Sequence, residues 1–434
     1  MFALLDGNNF YVSCERVFRG TLRGRPVVVL SNNDGCAIAR SEEAKALGIK
    51  MGVPFYQVEH LIEEQGLVAL SANFGLYGDM SDRMMSLAAG MGPEQEIYSI
   101  DECFIGLHGV PDVTRRARAI RNRILHGIGI PCCVGIGTTK TLAKLANHVA
   151  KDAERKPGSY PFALAQVCNL TELPRPALDD ILRATPVGDV WGVGRRIARR
   201  LTEEMGIQTA WDLSITSPKT IREQFSIVLE RTALELRGIS CIELELQPPP
   251  RQQIACTRSF GRAVTDLPPL IEAVSEFASR AAEKLRRGGQ HAAQLHVFAH
   301  TSPHRPGPRF YRSAAVQLEP PTSDTAKLVD AAVMGLRSIY ESGYLLSKAG
   351  VILQDLGPAT LQQPGLFNET PDGARDRSAL METVDAINSR WGKGVVHIAS
   401  TGQNERTLSH WRMRQVRKTP NYTTALNEVP IARA

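Results

Sequence analysis

Short apolar runs rich in β-forming residues alternate with amphipathic helical patterns along the first 165 residues of this 434-residue chain. The runs are FALLD (2–6), PVVVL (26–30), EIYSID (96–101), CFIGL (103–107) and PCCVGIG (131–137). Helical patterns cover about 113–127 and 140–151. Because strands that alternate with helices form a sheet with helices packed on it, this order predicts an α/β fold for the region.

The remainder of the chain divides where its composition changes. The segment 33–76 has weaker strand signals and more turn residues, so we expect an inserted subdomain there. Residues 166–246 have a helical pattern, and QPPPRQQ (247–253) has the composition of a linker. The order β-α-β-β-α-β follows over 254–356, which is the split ferredoxin-like arrangement. From residue 359 the periodicity is poor, and we expect partial disorder when this part is alone.

The formal net charge is only +6, but the positive residues are clustered. The clusters are Arg115, Arg116, Arg118, Arg121 and Arg123, then Arg195, Arg196, Arg199 and Arg200, and finally Arg406, Arg412, Arg414, Arg417 and Lys418. Such clusters are typical of surfaces that bind nucleic-acid phosphates. Solvated helix faces have the same composition, so both interpretations stay open for any single cluster.

Targeting and redox signals favour the cytoplasm. No apolar run approaches the ~18 residues of a membrane span. The N-terminus, MFALLDGNNF, has no basic n-region or cleavage site, and we interpret it as a buried strand. The eight cysteines form no C-x-x-C pattern, which favours reduced, buried thiols over a zinc site.

Three carboxylates stand where apolar runs end. Asp6 ends one run, and Asp101 and Glu102 end another. If the two strands are neighbours the acids converge, and carboxylates without histidine or thiolate suit Mg²⁺. Adjacent strand residues point to opposite faces, so Asp101 and Glu102 share a metal site only near a hairpin tip or a bulge. An N-cap acid and a solvated turn acid are the alternative.

A Gly-Val-Gly turn, Gly192 to Gly194, separates two helical patterns and precedes Arg195 and Arg196. Glycines let another backbone approach, and amides at a helix N-terminus suit an anion such as a DNA phosphate. A tight connection between two helices is the alternative. The arginines favour the phosphate interpretation.

Several longer motifs resemble those of the Y-family DNA polymerases, and in particular the UmuC-like catalytic subunits of bacterial DNA polymerase V. The motifs are DGNNFYVSCE, SNNDGCAIARSEEAKALGIKMG, YSIDE, VGIGTTKTLAKLANHVAK, DVWGVGRRIARRL, VLERTALELRG and RSFG, in that order. The resemblance covers nearly the whole chain, and so many motifs in the right order do not arise by chance.

The resemblance implies an α/β and α+β multidomain fold, a right-hand polymerase with a ferredoxin-like palm. The expected domains are a palm at 1–32 and 77–165, small fingers at 33–76, a helical thumb with a helix-hairpin-helix at 166–246, a β-α-β-β-α-β little finger at 247–358, and a tail at 359–434 with a clamp-binding motif and a partner-binding region. It also implies error-prone extension of a primer 3′-hydroxyl by dNTPs on damaged templates.

Roles for single residues follow from the same resemblance. Asp6 and Asp101 match the acids that hold two Mg²⁺ ions, Glu102 matches a third carboxylate nearer the primer end, and the Gly7 carbonyl a further ligand. Tyr11 matches the steric gate that excludes a 2′-hydroxyl. Phe10 is the other candidate for the gate, and ordinary helix core is the alternative for Tyr11.

The resemblance also implies contacts to the substrates. Lys151 and Lys45 match residues that bind the incoming triphosphate, and Gly192, Gly194, Arg195 and Arg196 are the expected contacts to primer-template DNA. Glu42 stands where some relatives have a tyrosine on the phosphates, so that contact is not carried over. Asn8 replaces an Asp of many relatives, at a position that is not an essential ligand.

Gln363, Leu366 and Phe367 have the Q-x-x-L-F form of a peptide that binds the sliding clamp, the beta subunit. A loop with a stray hydrophobic pair is the alternative. The resemblance also implies a processed UmuD-like dimer and a RecA filament as partners in SOS-induced mutagenesis, and a cytoplasmic enzyme that acts at the nucleoid.

Two other functions fit parts of this pattern. A nucleotide cyclase also uses paired acids and Mg²⁺, but the helical Gly-Val-Gly region and the extra C-terminal domain speak against it. A non-catalytic DNA-binding or scaffold protein on a polymerase-like fold would not need Asp6, Asp101 and Glu102. Primer extension separates the three hypotheses.

Overall fold

The computed structural model of the protein describes residues 1–360, 377–402, 411–429 and 431. The chain divides into two compact units. The first contains residues 1–31, 35–248 and the described residues from 417 onward, and the second contains residues 32–34 and the described residues of 249–416. None of the helices in these ranges is both long enough and apolar enough to cross a membrane.

The first unit contains eight strands and eleven helices among its described residues. The strands are β1 (Phe2–Gly7), β2 (Val27–Leu30), β3 (Ala37–Arg40), β4 (Val68–Ser71), β5 (Glu94–Ile97), β6 (Glu102–Gly106), β7 (Cys132–Gly137) and β8 (Val167–Asn169). The helices are α1 (Phe10–Phe18), α2 (Glu42–Ala46), α3 (Leu61–Gln65), α4 (Phe74–Ala88), α5 (Val113–Ile128), α6 (Lys140–Arg155), α7 (Arg175–Ala184), α8 (Arg195–Met205), α9 (Ala210–Ile215), α10 (Pro218–Gln224) and α11 (Ile227–Leu236).

A five-stranded sheet with the order β5-β6-β1-β7-β8 forms the centre of the first unit. The central strand β1 is antiparallel to both β6 and β7. Ala3 and Leu5 belong to the core that α4 and α5 complete, whereas Leu4 packs with Phe104 and Ala143 of α6. Burial on both faces explains why FALLD is apolar throughout instead of alternating.

A separate three-stranded sheet has the order β3-β2-β4, with β2 antiparallel to β3 and parallel to β4. Its central strand β2 precedes the expected boundary at residue 32, while both of its partners lie within 33–76. Strand pairing therefore joins the PVVVL run to the segment that follows it. Local sequence cannot show this, because a buried apolar strand has the same pattern in either sheet.

The helical pattern predicted over 166–246 is present as α7 to α11. Strand β8 precedes these helices and extends the large sheet in parallel with β7. The sequence analysis missed this strand, since three residues are too few to show periodicity. Between α7 and α8 the chain turns at Gly192, whose φ of 89° lies in the left-handed region that favours glycine.

The second unit contains β9 (Ile254–Val264), α12 (Leu267–Arg287), β10 (Gln290–Thr301), β11 (Tyr311–Thr322), α13 (Thr325–Ile339), β12 (Leu346–Pro358) and α14 (Ser378–Trp391). The predicted order β-α-β-β-α-β is confirmed. Its strands form one antiparallel sheet, β11-β10-β12-β9, whose core includes apolar residues of α12 and α13. Helix α14 was not predicted. Of the residues of this helix, all within the described part of the chain, Met381 is the buried one.

Candidate active site

A β-hairpin brings the three predicted acids together. Strand β5 ends at Ile97, the chain turns through residues 98–101, and β6 begins at Glu102. Asp6 lies opposite Glu102 in the β1–β6 register. The prediction that Asp101 and Glu102 end a strand is wrong, because Asp101 lies in the turn and Glu102 begins the returning strand. The hairpin that was needed for both to face one site is present.

Asp6 is almost completely buried, with 6 % of its surface exposed. Its Oδ2 lies 2.5 Å from Nζ of Lys151. Burial, opposed by the Lys151 ammonium and aided by the neighbouring Glu102 carboxylate, raises the pKa of Asp6 to about 7. The Asp6 carboxyl group therefore ionises at a higher pH than an exposed aspartate does.

Glu102 interacts with a second lysine of α6. Its Oε2 forms a salt bridge with Nζ of Lys144, which also lies 4.6 Å from the centre of the Tyr98 ring. Burial alone would raise the pKa of Glu102, but hydrogen bonds with Asp6 and Lys144 hold it below its usual value. The pKa values of these two neighbouring acids are therefore shifted in opposite directions.

A main-chain hydrogen bond with Gly7 holds Asp101 near Asp6 and Glu102. Its carbonyl accepts a hydrogen bond of 2.8 Å from the Gly7 amide, and its Oδ1 accepts one of 2.6 Å from the Ser99 hydroxyl. Within the ranges that the structure describes, no three acidic, histidine or cysteine side chains are grouped as metal ligands. The backbone thus places the acids side by side, while lysines and Ser99 occupy their oxygens.

Gly7 leaves room for a buried ring. A Cβ atom at this position would lie 2.9 Å from Cδ2 of Phe10 and 3.3 Å from Sδ of Met84. Phe10 fills the space that a side chain at position 7 would take. Phe10 is 3 % exposed and forms part of the core below the turn.

Tyr11 forms one wall of a cavity of about 360 Å³ that Asp6, Asp101 and Lys151 also line. Its ring is half-buried and stacks on Tyr77 with centroids 4.6 Å apart and planes at 17°. Phe74 packs edge-on against the same ring at 6.0 Å. Of the two candidates for the gate, Tyr11 is the one that remains partly accessible.

A basic group closes the other side of this cavity. Lys45 donates a hydrogen bond of 2.7 Å to Oδ1 of Asn9 and pairs with Glu42 at 2.8 Å. The same Glu42 oxygen lies 3.2 Å from Nε of Arg155 and accepts 2.9 Å from Asn9. Glu42 therefore holds the cations in place, and its carboxyl pKa is below its usual value despite partial burial.

Four side chains of this site were not predicted: Arg40, Arg155, Asn9 and Lys144. Arg40 lines the cavity, and its Nε is buried without a hydrogen-bond partner among the described residues. Arg155 stands four residues after Lys151 on α6, so the helical i, i+4 rule could have identified it. Asn9 and Arg40 gave no comparable signal, because only the fold brings them together.

The predicted DNA contacts lie at the start of α8. Gly194 is the N-cap residue, and a Cβ atom there would meet no atom within 4 Å. Arg195 and Arg196 are exposed in the first turn of the helix. Exposed amides and two arginines at a helix N-terminus form a surface that suits a phosphate. The predicted clamp peptide, Gln363, Leu366 and Phe367, lies outside the described residues.

Comparisons with known proteins agree over the whole chain. The model of the impB/mucB/samB family matches residues 5–148, and that of its C-terminal domain matches residues 251–366. A third model, a domain of unknown function called DUF4113, matches residues 378–432.

Relatives of similar length support the same assignment. The chain is 44 % identical to "Protein UmuC" of Salmonella typhimurium, over 99 % of both chains. It is 38 % identical to "Protein MucB" of Escherichia coli, over 100 % of this chain and 99 % of the relative. Identity to "DNA polymerase IV" of Moorella thermoacetica is 27 %, over 91 % and 94 %.

Solved structures share the fold at low identity. A chimera of the Y-family DNA polymerases Dbh and Dpo4 matches with a TM-score of 0.63 and 20 % identity, over 82 % of this chain and all of that chain. An insertion ternary complex of Dbh DNA polymerase matches with a TM-score of 0.52 and 18 % identity, over 82 % and 98 %.

Proposed function

The chain belongs to the impB/mucB/samB family of Y-family DNA polymerases, and from this premise we propose that it is an error-prone translesion DNA polymerase. It is a nucleotidyltransferase that adds deoxynucleotides to a primer 3′-hydroxyl on damaged templates. One observation carries the catalytic assignment. Asp6 and Asp101 border the cavity that Tyr11 and Lys151 also line, and Glu102 lies opposite Asp6 in the β1–β6 register, which supports the assignment.

The acids fit a pair of Mg²⁺ ions as cofactor. The available donors are all oxygens, from Asp6, Asp101, Glu102 and the Gly7 carbonyl, and such donors suit a hard cation. The salt bridges of Lys151 with Asp6 and of Lys144 with Glu102 support this proposal, because the same oxygens already pair with positive charge. When bound, the ions would activate the 3′-hydroxyl and stabilise the leaving pyrophosphate.

The chain's own cations suit the triphosphate of a dNTP. Lys45, Arg155 and Arg40 line the cavity with Lys151, and the buried Nε of Arg40 has no hydrogen-bond partner in the described part of the chain. A buried donor without a partner is costly, and a phosphate oxygen would satisfy it. Neutralising charge on the phosphates is the main electrostatic demand of phosphoryl transfer.

Sugar selection and DNA grip are assigned to separate elements. Tyr11 acts as the steric gate, because its ring is held between Tyr77 and Phe74 while one side faces the cavity. Gly192, Gly194, Arg195 and Arg196 bind a phosphate of the primer-template duplex at the start of α8. The exposed position of these residues supports this assignment.

The wider role includes partners that act with the polymerase. Gln363, Leu366 and Phe367 bind the sliding clamp, and a processed UmuD-like dimer and a RecA filament cooperate in SOS-induced mutagenesis at the nucleoid. The similarity to "Protein UmuC" along the full chain supports this part of the proposal.

Primer extension with Mg²⁺ tests the function. We expect template-dependent extension by the full chain, supplied with its accessory proteins, and loss of extension on the order of 10³-fold in Asp101→Asn. DNA binding without extension by the unaltered chain under all these conditions would favour the non-catalytic scaffold. Turnover of a nucleotide without primer and template would favour the cyclase.

A further inference from the structure

The described residues from 417 onward belong to the first unit and contact its strand β4 and its helix α1. We call residues 417–429 the C-terminal segment. The Ser71 amide at the end of β4 donates 3.1 Å to the Arg417 carbonyl, and Ser71 forms a parallel bridge with Lys418. Tyr422 stacks on Phe18 of α1 at 4.9 Å. The segment lies within the match to the domain of unknown function, whose description assigns no role.

Asn73 locks this segment to the start of α4. Asn73 is fully buried, and its Nδ2 donates 3.1 Å to the carbonyl oxygens of both Thr419 and Pro420. The Asn73 Oδ1 caps α4 by accepting a hydrogen bond of 3.4 Å from the Leu76 amide. One buried side chain therefore fixes the helix and the C-terminal segment in the same place.

A chain of polar and aromatic contacts leads from this segment to Tyr11. The Thr419 hydroxyl donates 3.0 Å to Oε1 of Glu15, and the Tyr77 hydroxyl donates 2.7 Å to the same oxygen. The Tyr77 ring then stacks on Tyr11. Glu15 stands four residues after Tyr11 on α1, so both side chains lie on one face of the helix.

Glu15 is a buried acid whose carboxyl group has few hydrogen-bond donors. It is fully buried, and its Oε2 has no hydrogen-bond partner within the described residues. Burial raises the pKa of Glu15, whereas the hydrogen bonds from Tyr77 and Thr419 lower it. Since a buried carboxylate depends on each of its few donors, loss of the Thr419 hydroxyl leaves Tyr77 as the main remaining donor.

We propose that Thr419 of the C-terminal segment is a positioning residue for sugar selection, which acts through Glu15 and Tyr77 to hold the ring of Tyr11 against the cavity. The inference rests on the proposed role of Tyr11 as the gate. A gate that works by repulsion depends steeply on distance, so a ring that shifts by ~1 Å no longer excludes a 2′-hydroxyl. The C-terminal segment thus contributes to substrate choice without contacting substrate.

Single-nucleotide incorporation by the full chain, with the accessory proteins that extension requires, tests the proposal. The readout is the ratio of kcat/KM for a dNTP to that for the matching rNTP. We expect Thr419→Val, which keeps shape and removes the hydroxyl, to lower this ratio about tenfold, equivalent to ~1.4 kcal/mol. Dissociation of DNA and kcat for the dNTP should change little, and Thr419→Ser should restore the ratio.

Thr423→Val is the matched control in the same segment. The Thr423 hydroxyl is buried without a hydrogen-bond partner among the described residues, so the same isosteric change should leave the ratio unaltered. Equal effects of Thr419→Val and Thr423→Val would overturn the proposal. An unaltered ratio in Thr419→Val would overturn it as well.

Two further variants separate failure of this inference from failure of the gate itself. In Tyr11→Ala the added change Thr419→Val should have no further effect, because both act through one ring. If Tyr11→Ala alone leaves the ratio unchanged, the gate assignment fails first. Thermal melting shows whether Thr419→Val is folded. If it is not, Tyr77→Phe replaces it, because this variant removes the other hydrogen bond to Glu15. The proposal then requires that Tyr77→Phe lower the ratio.

Discussion

Tyr11, the proposed gate, packs against the core and also borders the cavity. One face of its ring stacks on Tyr77, which is itself fully buried, and its edge approaches Phe74. The remaining surface borders the cavity that Asp6 and Asp101 also line. A phenol ring held in this way cannot move away from a ligand without disturbing the core. It can therefore exclude a ligand that carries an additional group at this position.

We predict that Tyr11→Ala admits ribonucleotides, with a loss of sugar discrimination on the order of 10²-fold. The removed ring no longer fills the space that a 2′-hydroxyl would need. Tyr11→Phe keeps the ring and should retain most of the discrimination. Incorporation of a single dNTP and rNTP opposite a template base measures both. Unaltered discrimination in Tyr11→Ala would remove this residue from the gate role.

At the scale of elements, the approach of α6 to β7 positions the basic residues against the acids. A Cβ atom on Gly135 would lie only 2.1 Å from the Asn147 amide nitrogen, so glycine allows the helix to lie directly on the strand. The Asn147 side chain then donates 2.9 Å to the Cys133 carbonyl. Lys144 and Lys151 reach Glu102 and Asp6 only because this packing is close.

Gly135→Ala should therefore destabilise the protein by about 3 kcal/mol or more, because the new methyl group would clash with backbone atoms, which cannot move as a flexible side chain can. Gly78→Ala provides the opposite control within α4. A Cβ atom on Gly78 meets nothing within 4 Å, so better helix propensity should stabilise the protein by about 0.5–1 kcal/mol. Denaturant unfolding measures both, and two equal changes would contradict the packing argument.

The N-terminus of α8 carries a second prediction at this scale. Replacing Arg195 and Arg196 by alanine should weaken DNA binding and make the slope of log affinity against log salt shallower, by up to ~0.9 for each phosphate that the variant no longer neutralises. Arg200→Ala is the matched control, since Glu204 already pairs with Arg200 in the same helix. Binding titrations at several salt concentrations would show no difference between these variants if α8 does not contact DNA.

At the scale of the whole molecule, the peptide Gln363, Leu366 and Phe367 can be tested although it lies outside the described residues. We predict that Leu366→Ala with Phe367→Ala abolishes stimulation of extension by the sliding clamp and spares basal extension. Two apolar anchors would lose their hydrophobic cleft on the partner, while the catalytic residues remain intact. Loss of basal extension to the same degree would indicate misfolding.

The amino-acid sequence alone predicted most of the regular elements and the candidate acids, although it missed β8 and α14. The helix from Lys140 and the β-α-β-β-α-β order have periodicities that a local pattern displays, and FALLD is a short apolar run that indicates a buried strand. The Y-family motifs led to Asp6, Asp101 and Glu102 before any geometry was known. These features depend on residue type and spacing, which a linear pattern displays directly.

Tertiary structure alone decided which distant residues share a site. It placed PVVVL in the small sheet, joined Asn9 to Glu42 and Lys45, and brought Thr419 to Glu15, 404 positions away in the chain. Such contacts depend on how the surfaces of whole elements fit together. Buried polar groups then form hydrogen bonds with whichever partners the fold brings near them. A local pattern contains no record of that choice.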